Sequence, residues 1–195
     1  MSKLALYFAP GSSSMAVHIA LHEVGAPFEA LPMSFHKQDM RSAAFRAKNP
    51  AGKVPTLMID GRPLTEVAAC LFYLAKRFPE AKLLPTGDIE AEAQAVSWMS
   101  FIASTLHPAR RQGLDHLIEV WRVAEAKLAN RDWALGAYSI VDIHLFRLFW
   151  RMIPSVKPAP QSLPGLFRHY ERMMIRPAVK RTIAIESTIG YELPA

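Results

Sequence analysis

The apolar residues in the first 78 positions change between a two-residue period and a helical period. Residues 3–8 alternate in the manner of a strand, and residues 28–35 are predicted to form a second strand. Between them, residues 15–24 have helical spacing and end at Gly25, a residue favoured just after a helix C-terminus. A short helix is predicted around residues 41–47. The chain therefore begins as strand, helix, strand, helix.

A hairpin and a third helix are predicted next. Residues 56–59 and 62–64 flank an Asp-Gly turn, which is typical of tight hairpins. Thr65 is expected to cap a helix that runs to about Arg77. The order βαβαββα is that of a thioredoxin-like domain, and we predict such a domain for residues 1–78.

The remaining segments show only helical patterns. Residues 79–88 contain two prolines and a glycine, which indicates a linker. No later segment has the pattern of a strand. Helices are predicted at residues 89–107, 114–130, 139–152, 163–175 and 177–186. We therefore predict an α/β domain followed by an all-α C-terminal domain over residues 89–195.

One of these helices carries a strong start signal. Ser139 at the N-cap and Asp142 three residues later form a capping-box pattern, and Tyr138 and Ile143 occupy the positions of a hydrophobic staple. Such a cap is worth about 1 kcal/mol and satisfies N–H groups that burial would leave unpaired. This motif predicts fold rather than chemistry.

Composition narrows the functional class. The 195 residues are 51% apolar and carry a net charge of +6, with the lysines and arginines scattered rather than massed. Nucleic-acid binding is therefore not expected, although a mildly positive surface suits an anionic ligand. No apolar run has membrane-spanning length, and the start lacks signal-peptide features. A single cysteine suits a reducing compartment, so a cytoplasmic location is expected.

The most informative motif is the segment from Asn49 to Leu57. Proline adopts a cis bond at modest cost, and a cis Pro55 would leave the backbone N–H and C=O of Val54 free to pair with an extended peptide. Shortly afterwards Glu66 lies at a helix start, where backbone N–H groups attract a carboxylate and its own side chain can hold an ammonium. Glutathione, an extended peptide with an amine and a carboxylate at one end, fits both features.

In this order and spacing, the motifs resemble the N-terminal half of the glutathione transferases. Residues 4–14 look like the first strand and catalytic turn of that family, and His107 resembles a histidine of the bacterial beta class. The resemblance covers nearly the whole chain. It implies a cytoplasmic, homodimeric detoxification enzyme that uses glutathione as co-substrate and directs its thiolate at a small hydrophobic electrophile.

Three consecutive serines follow the first predicted strand. The glutathione thiol has a pKa of about 8.5, and lowering it to about 6.5 is equivalent to roughly 2.7 kcal/mol. A hydroxyl and a helix N-terminus can supply this, and the resemblance aligns Ser13 with the beta-class cysteine. A serine cannot form a mixed disulfide, so we predict conjugation or peroxidase chemistry without a covalent glutathione adduct. Ser12 is the alternative donor, and simple capping by all three serines is the alternative role.

The predicted helix 89–107 has two different faces. One face is apolar: Ala95, Trp98, Met99, Ile102 and Leu106. The other is polar: Ser97, Ser100, Ser104, His107 and Arg111. A helix face of small hydroxyl residues that ends in His107 and Arg111 is typical of a cleft wall or a subunit contact. The resemblance implies that His107 approaches the glutathione sulfur, whereas a surface histidine beside Pro108 is the alternative.

The resemblance also implies contacts to the two carboxylates of glutathione. Lys37 and Lys53 are candidates for the glycine carboxylate, and ordinary solvated lysines are the alternative. Val67 replaces a hydroxyl residue that many relatives have, so only its backbone N–H can hold the γ-glutamyl carboxylate.

Other reactive residues suggest no separate site. Cys70 is expected to be a small buried hydrophobe. His18 and His22 are one helical turn apart, but no third ligand accompanies them, so no metal is expected.

Two alternative functions stay open. One is another glutathione-dependent reaction, such as isomerisation or peroxide reduction; the serine run resembles the maleylacetoacetate isomerases, but their cysteine and nearby arginine are missing. The other is a non-catalytic interaction protein of the same fold.

Overall fold

The computed structural model describes residues 3–193, which form two compact units. Among the described residues, the first unit comprises residues 3–78 and 177–193, and the second is Pro79–Arg176. The prediction had placed residues 177–195 in the helical domain instead. The last helix belongs to the first unit because its Glu186 is fully buried there and binds Gly11 and His18.

A four-stranded sheet forms the centre of the first unit. Its strands are β1 (Leu4–Phe8), β2 (Phe28–Pro32), β3 (Thr56–Ile59) and β4 (Arg62–Thr65), in the order β2-β1-β3-β4. β1 is parallel to β2 and antiparallel to β3, and β3 is antiparallel to β4. The parallel pair requires a crossover, which the first helix supplies. Four strands were predicted in this part of the chain and four are present, with β3 at the predicted bounds.

Eight α-helices lie within residues 3–193. They are α1 (Ser14–Glu23), α2 (Ala43–Arg46), α3 (Val67–Arg77), α4 (Ile89–Phe101), α5 (Leu114–Leu128), α6 (Ile140–Val156), α7 (Pro164–Met174) and α8 (Pro177–Ile189). The first three give the predicted order βαβαββα together with the strands. Strand and helix residues such as Leu6, Ile19 and Leu71 are fully buried and form the core of the first unit.

Helices are the only regular secondary structure among the described residues of the second unit, as predicted. All five residues of the predicted apolar face on α4 and its extension are buried. The capping box is confirmed: the Ser139 hydroxyl accepts from the Val141 N–H, and Asp142 Oδ2 accepts from the Ser139 N–H at 2.9 Å. Burial of α6 explains the need for this cap, because few of its first residues can reach water.

Two local predictions are wrong. Thr65 does not cap α3, because it pairs with Thr56 as the last residue of β4; Glu66 takes the N-cap position with a φ of 66°. The predicted helix 89–107 is not α-helical throughout. Residues 102–106 form a π-helical turn, and the N–H of His107 donates to the C=O of Ile102, five residues back.

Candidate active site

The strand register brings the predicted site segments of the first unit to one end of the sheet. Tyr7 of β1 lies opposite Thr56 of β3, and Thr56 lies opposite Thr65 of β4. The chain enters or leaves the sheet at each of these positions. The serine turn after β1, the segment before β3 and the start of α3 therefore converge. β2 ends at the same edge, opposite Phe8, and leads into the loop that carries Lys37.

The three serines have different environments. Ser12 and Ser14 are buried, and their hydroxyl oxygens lie 2.7 Å apart. Ser14 also donates to the C=O of Ala9 and accepts from the Ala9 N–H, so these hydroxyls fix the turn. Ser13 is partly exposed and occupies the N-cap position of α1, but its side chain makes no capping hydrogen bond. The Ser13 hydroxyl is therefore suited to donate a hydrogen bond to a ligand at the N-terminus of α1.

The segment before β3 has the predicted backbone. The Val54–Pro55 peptide bond is cis, and within residues 3–193 the N–H and C=O of Val54 form no hydrogen bond. Asn49, which sequence reasoning named only as part of the motif, organises this turn. Its side-chain amide donates to the C=O of Lys53 at 2.8 Å and to the Thr56 hydroxyl at 3.0 Å. Asn49 is buried, so these two bonds replace the water that its amide loses.

The start of α3 has an unusual backbone. Glu66 is exposed and has a φ of 66° and a ψ of 129°, a region that costs a non-glycine residue about 1–3 kcal/mol. This strained residue lies between the end of β4 and the start of α3. Val67 is the first residue of α3, and its N–H is one of the groups that an α-helix leaves unpaired at its N-terminus.

The two candidate lysines both lie on exposed loops. Lys37 follows β2, and its N–H donates to the Ser34 hydroxyl at 3.0 Å. Lys53 directly precedes Val54, and its C=O accepts from the side chains of Asn49 and Thr56. The side-chain hydrogen bonds of Asn49 and Thr56 therefore fix the backbone of Lys53 more firmly than the single bond to Ser34 fixes the backbone of Lys37. The structure leaves both ammonium groups exposed, and their roles stay predictions.

A buried carboxylate from α8 supports the serine turn. Glu186 is fully buried, and its Oε2 accepts from the Gly11 N–H at 2.6 Å. Its Oε1 lies 2.8 Å from Nδ1 of His18, which is also fully buried on α1. Sequence reasoning missed this contact, although a glutamate within an otherwise apolar helix face was a signal. His18 is thus a structural partner of a carboxylate rather than a metal ligand.

The segment after α8 also folds onto the first unit. Glu192 accepts from the Ser34 hydroxyl at 2.7 Å and from the His36 N–H at 3.0 Å. The backbone N–H of His36 and then the Ser34 hydroxyl hold the pKa of Glu192 below its usual value. Tyr191 and Leu193 cover Gly11 so closely that a Cβ there would lie within 2.9 Å of each. Glycine is also required by the φ of 70° at this position.

His107 belongs to the second unit. It is exposed, follows the π-helical turn and precedes a short 3₁₀ turn of residues 108–112. The polar residues of the predicted face, including Ser97, Ser100 and Ser104, are exposed as well. Because a π turn adds a residue, it changes the direction in which His107 projects relative to a regular helix. Its role toward a sulfur stays a prediction.

The remaining reactive groups form no second centre. Burial raises the pKa of the Cys70 thiol to about 12, so this cysteine is an inert apolar residue at neutral pH. Burial, and then His18, lowers the pKa of His22 to about 4. Within residues 3–193, no group of three or more His, Cys, Asp or Glu side chains is placed to hold a metal ion. None of the helices described is both long and apolar enough to cross a membrane.

Comparison with known proteins assigns the family. Residues 2–76 match the family "Glutathione S-transferase, N-terminal domain". Over 205 residues the chain is 36% identical to glutathione S-transferase GST-4.5 of Xanthomonas campestris, covering 94% of this chain and 98% of the relative. The chain belongs to the glutathione S-transferase family.

Solved structures agree with this assignment. A sphingomonad glutathione S-transferase complexed with glutathione is 30% identical with a TM-score of 0.83, covering 94% of this chain and 98% of that one. A beta class glutathione S-transferase of Sphingomonas chungbukensis is also 30% identical, with a TM-score of 0.81 and coverage of 93% and 98%. The family resemblance and the thioredoxin-like fold inferred from the sequence are therefore confirmed. This transferase has serine at position 13, where the resemblance to the beta class implies a cysteine.

Proposed function

We propose that this protein is a glutathione transferase that holds glutathione at the end of the sheet and activates its thiol as a thiolate. The observation that carries the proposal is the convergence of three strand ends, which brings the Ser13 turn, Val54–Pro55 and the start of α3 to one edge. Family membership supports the reaction class, and this geometry supports the choice of residues.

Glutathione would bind as an extended strand. The N–H and C=O of Val54 are the groups that pair with its backbone, next to cis Pro55. Glu66 holds the ammonium of the γ-glutamyl group, and the N–H of Val67 holds its carboxylate. Lys53 is the better placed lysine for the glycine carboxylate because its backbone is fixed beside Val54, with Lys37 as a second cation.

Ser13 is the residue that we assign to the thiolate. The Ser12 and Ser14 hydroxyls already bind each other inside the turn, whereas the Ser13 side chain does not cap α1. A hydroxyl that donates to a sulfur at the N-terminus of a helix stabilises the anion by hydrogen bonding and by the helix dipole. Ser12 therefore positions the turn, and Ser13 touches the substrate.

The chemistry has two consequences. Without a cysteine at position 13, no mixed disulfide with glutathione forms there, so the thiolate itself attacks an electrophile. As the resemblance to the beta class implies, His107 is proposed to stabilise the same thiolate as a hydrogen-bond donor. We further propose that the protein works in the cytoplasm as a homodimer, as its family relationship suggests.

Conjugation kinetics test the assignment of Ser13. We expect Ser13→Ala to lower kcat/KM for conjugation at pH 7 by about tenfold, because a hydrogen bond to a charged group contributes about 1.5 kcal/mol. Steady-state rates with a neutral chloronitrobenzene measure this. Ser187→Ala, which removes an exposed hydroxyl from α8 of the same unit, should leave the rate unchanged.

Two results would contradict this proposal. An unchanged rate in Ser13→Ala removes Ser13 from the mechanism. Isothermal titration that detects no glutathione binding to the wild type would contradict the enzymatic assignment as a whole and would favour an interaction protein of this fold.

A further inference from the structure

The chain that follows α8 lies against two separate parts of the first unit. Gly190 has a φ of 96°, a conformation that favours glycine, and it turns the chain at the end of α8. Residues 191–193 come next, and we call them the α8 extension. Its first and last side chains cover Gly11 of the serine turn, whereas its middle residue, Glu192, binds the loop after β2. The α8 extension therefore joins two segments that are far apart in the sequence.

One carboxylate oxygen of Glu192 holds two donors of that loop. Oε2 accepts from the Ser34 hydroxyl at 2.7 Å and from the His36 N–H at 3.0 Å. Hydrogen bonds to an ionised carboxylate are roughly twice as strong as those between neutral groups. The loop after β2 is therefore fixed to the α8 extension by a charged acceptor.

Ser34 connects this contact to Lys37. The Ser34 hydroxyl gives its one hydrogen to Glu192 and accepts from the Lys37 N–H at 3.0 Å. The Ser34 N–H donates to Asp39 Oδ2 at 2.8 Å, so bonds to both parts of the loop meet at this one residue. Lys37 is exposed, so burial does not fix it. The position of its backbone therefore depends on a serine hydroxyl that Glu192 orients.

Both segments that the α8 extension contacts border the proposed glutathione site. Gly11 directly precedes Ser12 and Ser13, and the loop after β2 carries Lys37, a candidate for the glycine carboxylate. β2 ends opposite Phe8, at the same edge of the sheet as the serine turn. All of these residues belong to the first unit.

We propose that Glu192 is a positioning residue for glutathione. It fixes Ser34, and Ser34 places Lys37 so that the lysine ammonium meets the glycine carboxylate; Glu192 itself makes no contact with the ligand. The inference rests on the proposed function, because it concerns the same glutathione site.

The direction of the effect distinguishes position from charge. A carboxylate near an anionic ligand repels it, so removing Glu192 would strengthen glutathione binding if only its charge acted. If Glu192 acts by holding the loop, its removal weakens binding.

A matched pair of ligands tests this proposal. Glutathione amide differs from glutathione only in the glycine carboxylate, which is replaced by an uncharged carboxamide. Isothermal titration gives the Kd of each ligand for the wild type and for Glu192→Ala. We expect Glu192→Ala to bind glutathione about fivefold more weakly, the upper range for an exposed ion pair, and to bind the amide with the wild-type Kd. An equal loss for both ligands, or tighter binding of glutathione, would overturn the proposal.

Two further variants serve as controls. Glu192→Gln removes the charge but keeps an oxygen that can accept from Ser34 and His36, so it should keep most of the wild-type affinity for glutathione. Glu29→Ala removes an exposed carboxylate from β2 of the same unit and should change neither Kd. If Glu192→Gln bound glutathione as weakly as Glu192→Ala, the charge of Glu192 rather than its hydrogen bonds would matter, and the proposal would be wrong.

A double-mutant cycle tests whether the effect passes through Lys37. Lys37→Ala should weaken glutathione binding by about as much as Glu192→Ala does. When Lys37 is already alanine, Glu192→Ala should cause no further loss, because the two residues act on the same contact. A further loss of similar size, or unchanged binding in Lys37→Ala alone, would contradict the proposal.

The same titrations separate this inference from the proposed function. If the wild type binds neither ligand, the proposed function fails and the role of Glu192 fails with it. If the wild type and Glu192→Ala bind glutathione with the same Kd, the proposed function stands and only the role of Glu192 is contradicted.

Discussion

Glu186→Ala is expected to destabilise the first unit by about 3–5 kcal/mol, the usual cost of removing one member of a buried polar pair. The substitution leaves two buried groups without their acceptor, the Gly11 N–H and Nδ1 of His18. Neither group has another route to water, because His18 and Gly11 are both buried. Glu186→Gln should cost less, since the amide oxygen can still accept from the Gly11 N–H.

Amide hydrogen exchange measures this effect where it arises. Peptides from β1 and α1 should lose protection by about 100-fold or more in Glu186→Ala, because exchange reports local opening free energies. Glu29→Ala removes an exposed carboxylate from β2 of the same unit and should change protection little. If Glu186→Ala kept wild-type protection at Gly11 and in α1, the claim that α8 anchors the serine turn would be wrong.

Asp142→Ala is expected to cost the second unit about 3–5 kcal/mol as well. Asp142 accepts from the Ala134 N–H at 2.8 Å and the Ser139 N–H at 2.9 Å, and Nε2 of His169 lies 3.0 Å away. All of these groups are buried, and each one left unpaired costs about 1–3 kcal/mol. Ser139→Ala removes only a cap and should cost about 1 kcal/mol.

Tryptophan fluorescence reports on this unit alone. All four tryptophans, at positions 98, 121, 133 and 150, lie within the second unit. A urea titration followed by fluorescence should therefore show a lower midpoint for Asp142→Ala and a smaller decrease for Ser139→Ala. Asp132→Ala is the control, because its ion pair with Arg172 lies at the surface and is worth about 0–1 kcal/mol. Equal midpoints for Asp142→Ala and Asp132→Ala would contradict the importance of the buried network.

The sequence predicted the elements whose signals are local. Alternation and turn chemistry gave β3 at its observed bounds, and the Ser139 capping box was recognised from two residues three positions apart. The cis bond at Pro55 was also predicted, because proline in this segment belongs to a motif with a known arrangement. Such features depend on neighbours in the chain, so the chain alone indicates them.

Features that depend on distant contacts were missed. Glu186 binds groups 168 and 175 positions away, so no local pattern indicated that α8 belongs to the first unit. Thr65 has the residue type of a cap, but pairing with Thr56 kept it in β4. Helical periodicity also could not distinguish a π turn at residues 102–106 from a regular one, since both bury Ile102 and Leu106.

The sequence predicted which chain segments form the site, but not the hydrogen bonds that their side chains make. Capping chemistry alone does not rank the three serines, because all are equally good capping residues, and only the family resemblance favoured Ser13. The hydrogen bonds of Ser12 and Ser14 inside the turn support the same choice, because they leave Ser13 as the hydroxyl that suits a ligand. Asn49 was named only as part of a turn, and its role in fixing Lys53 depends on burial.

The ionisation of bound glutathione is the most direct test of the account. Thiolate absorbance, followed against pH for glutathione bound to the wild type and to Ser13→Ala, gives the pKa of the bound thiol. We predict a pKa of about 6.5 in the wild type, below the value of about 8.5 for a free thiol, and a higher pKa in Ser13→Ala. A bound thiol that titrates near 8.5 in the wild type would contradict thiolate stabilisation at this site.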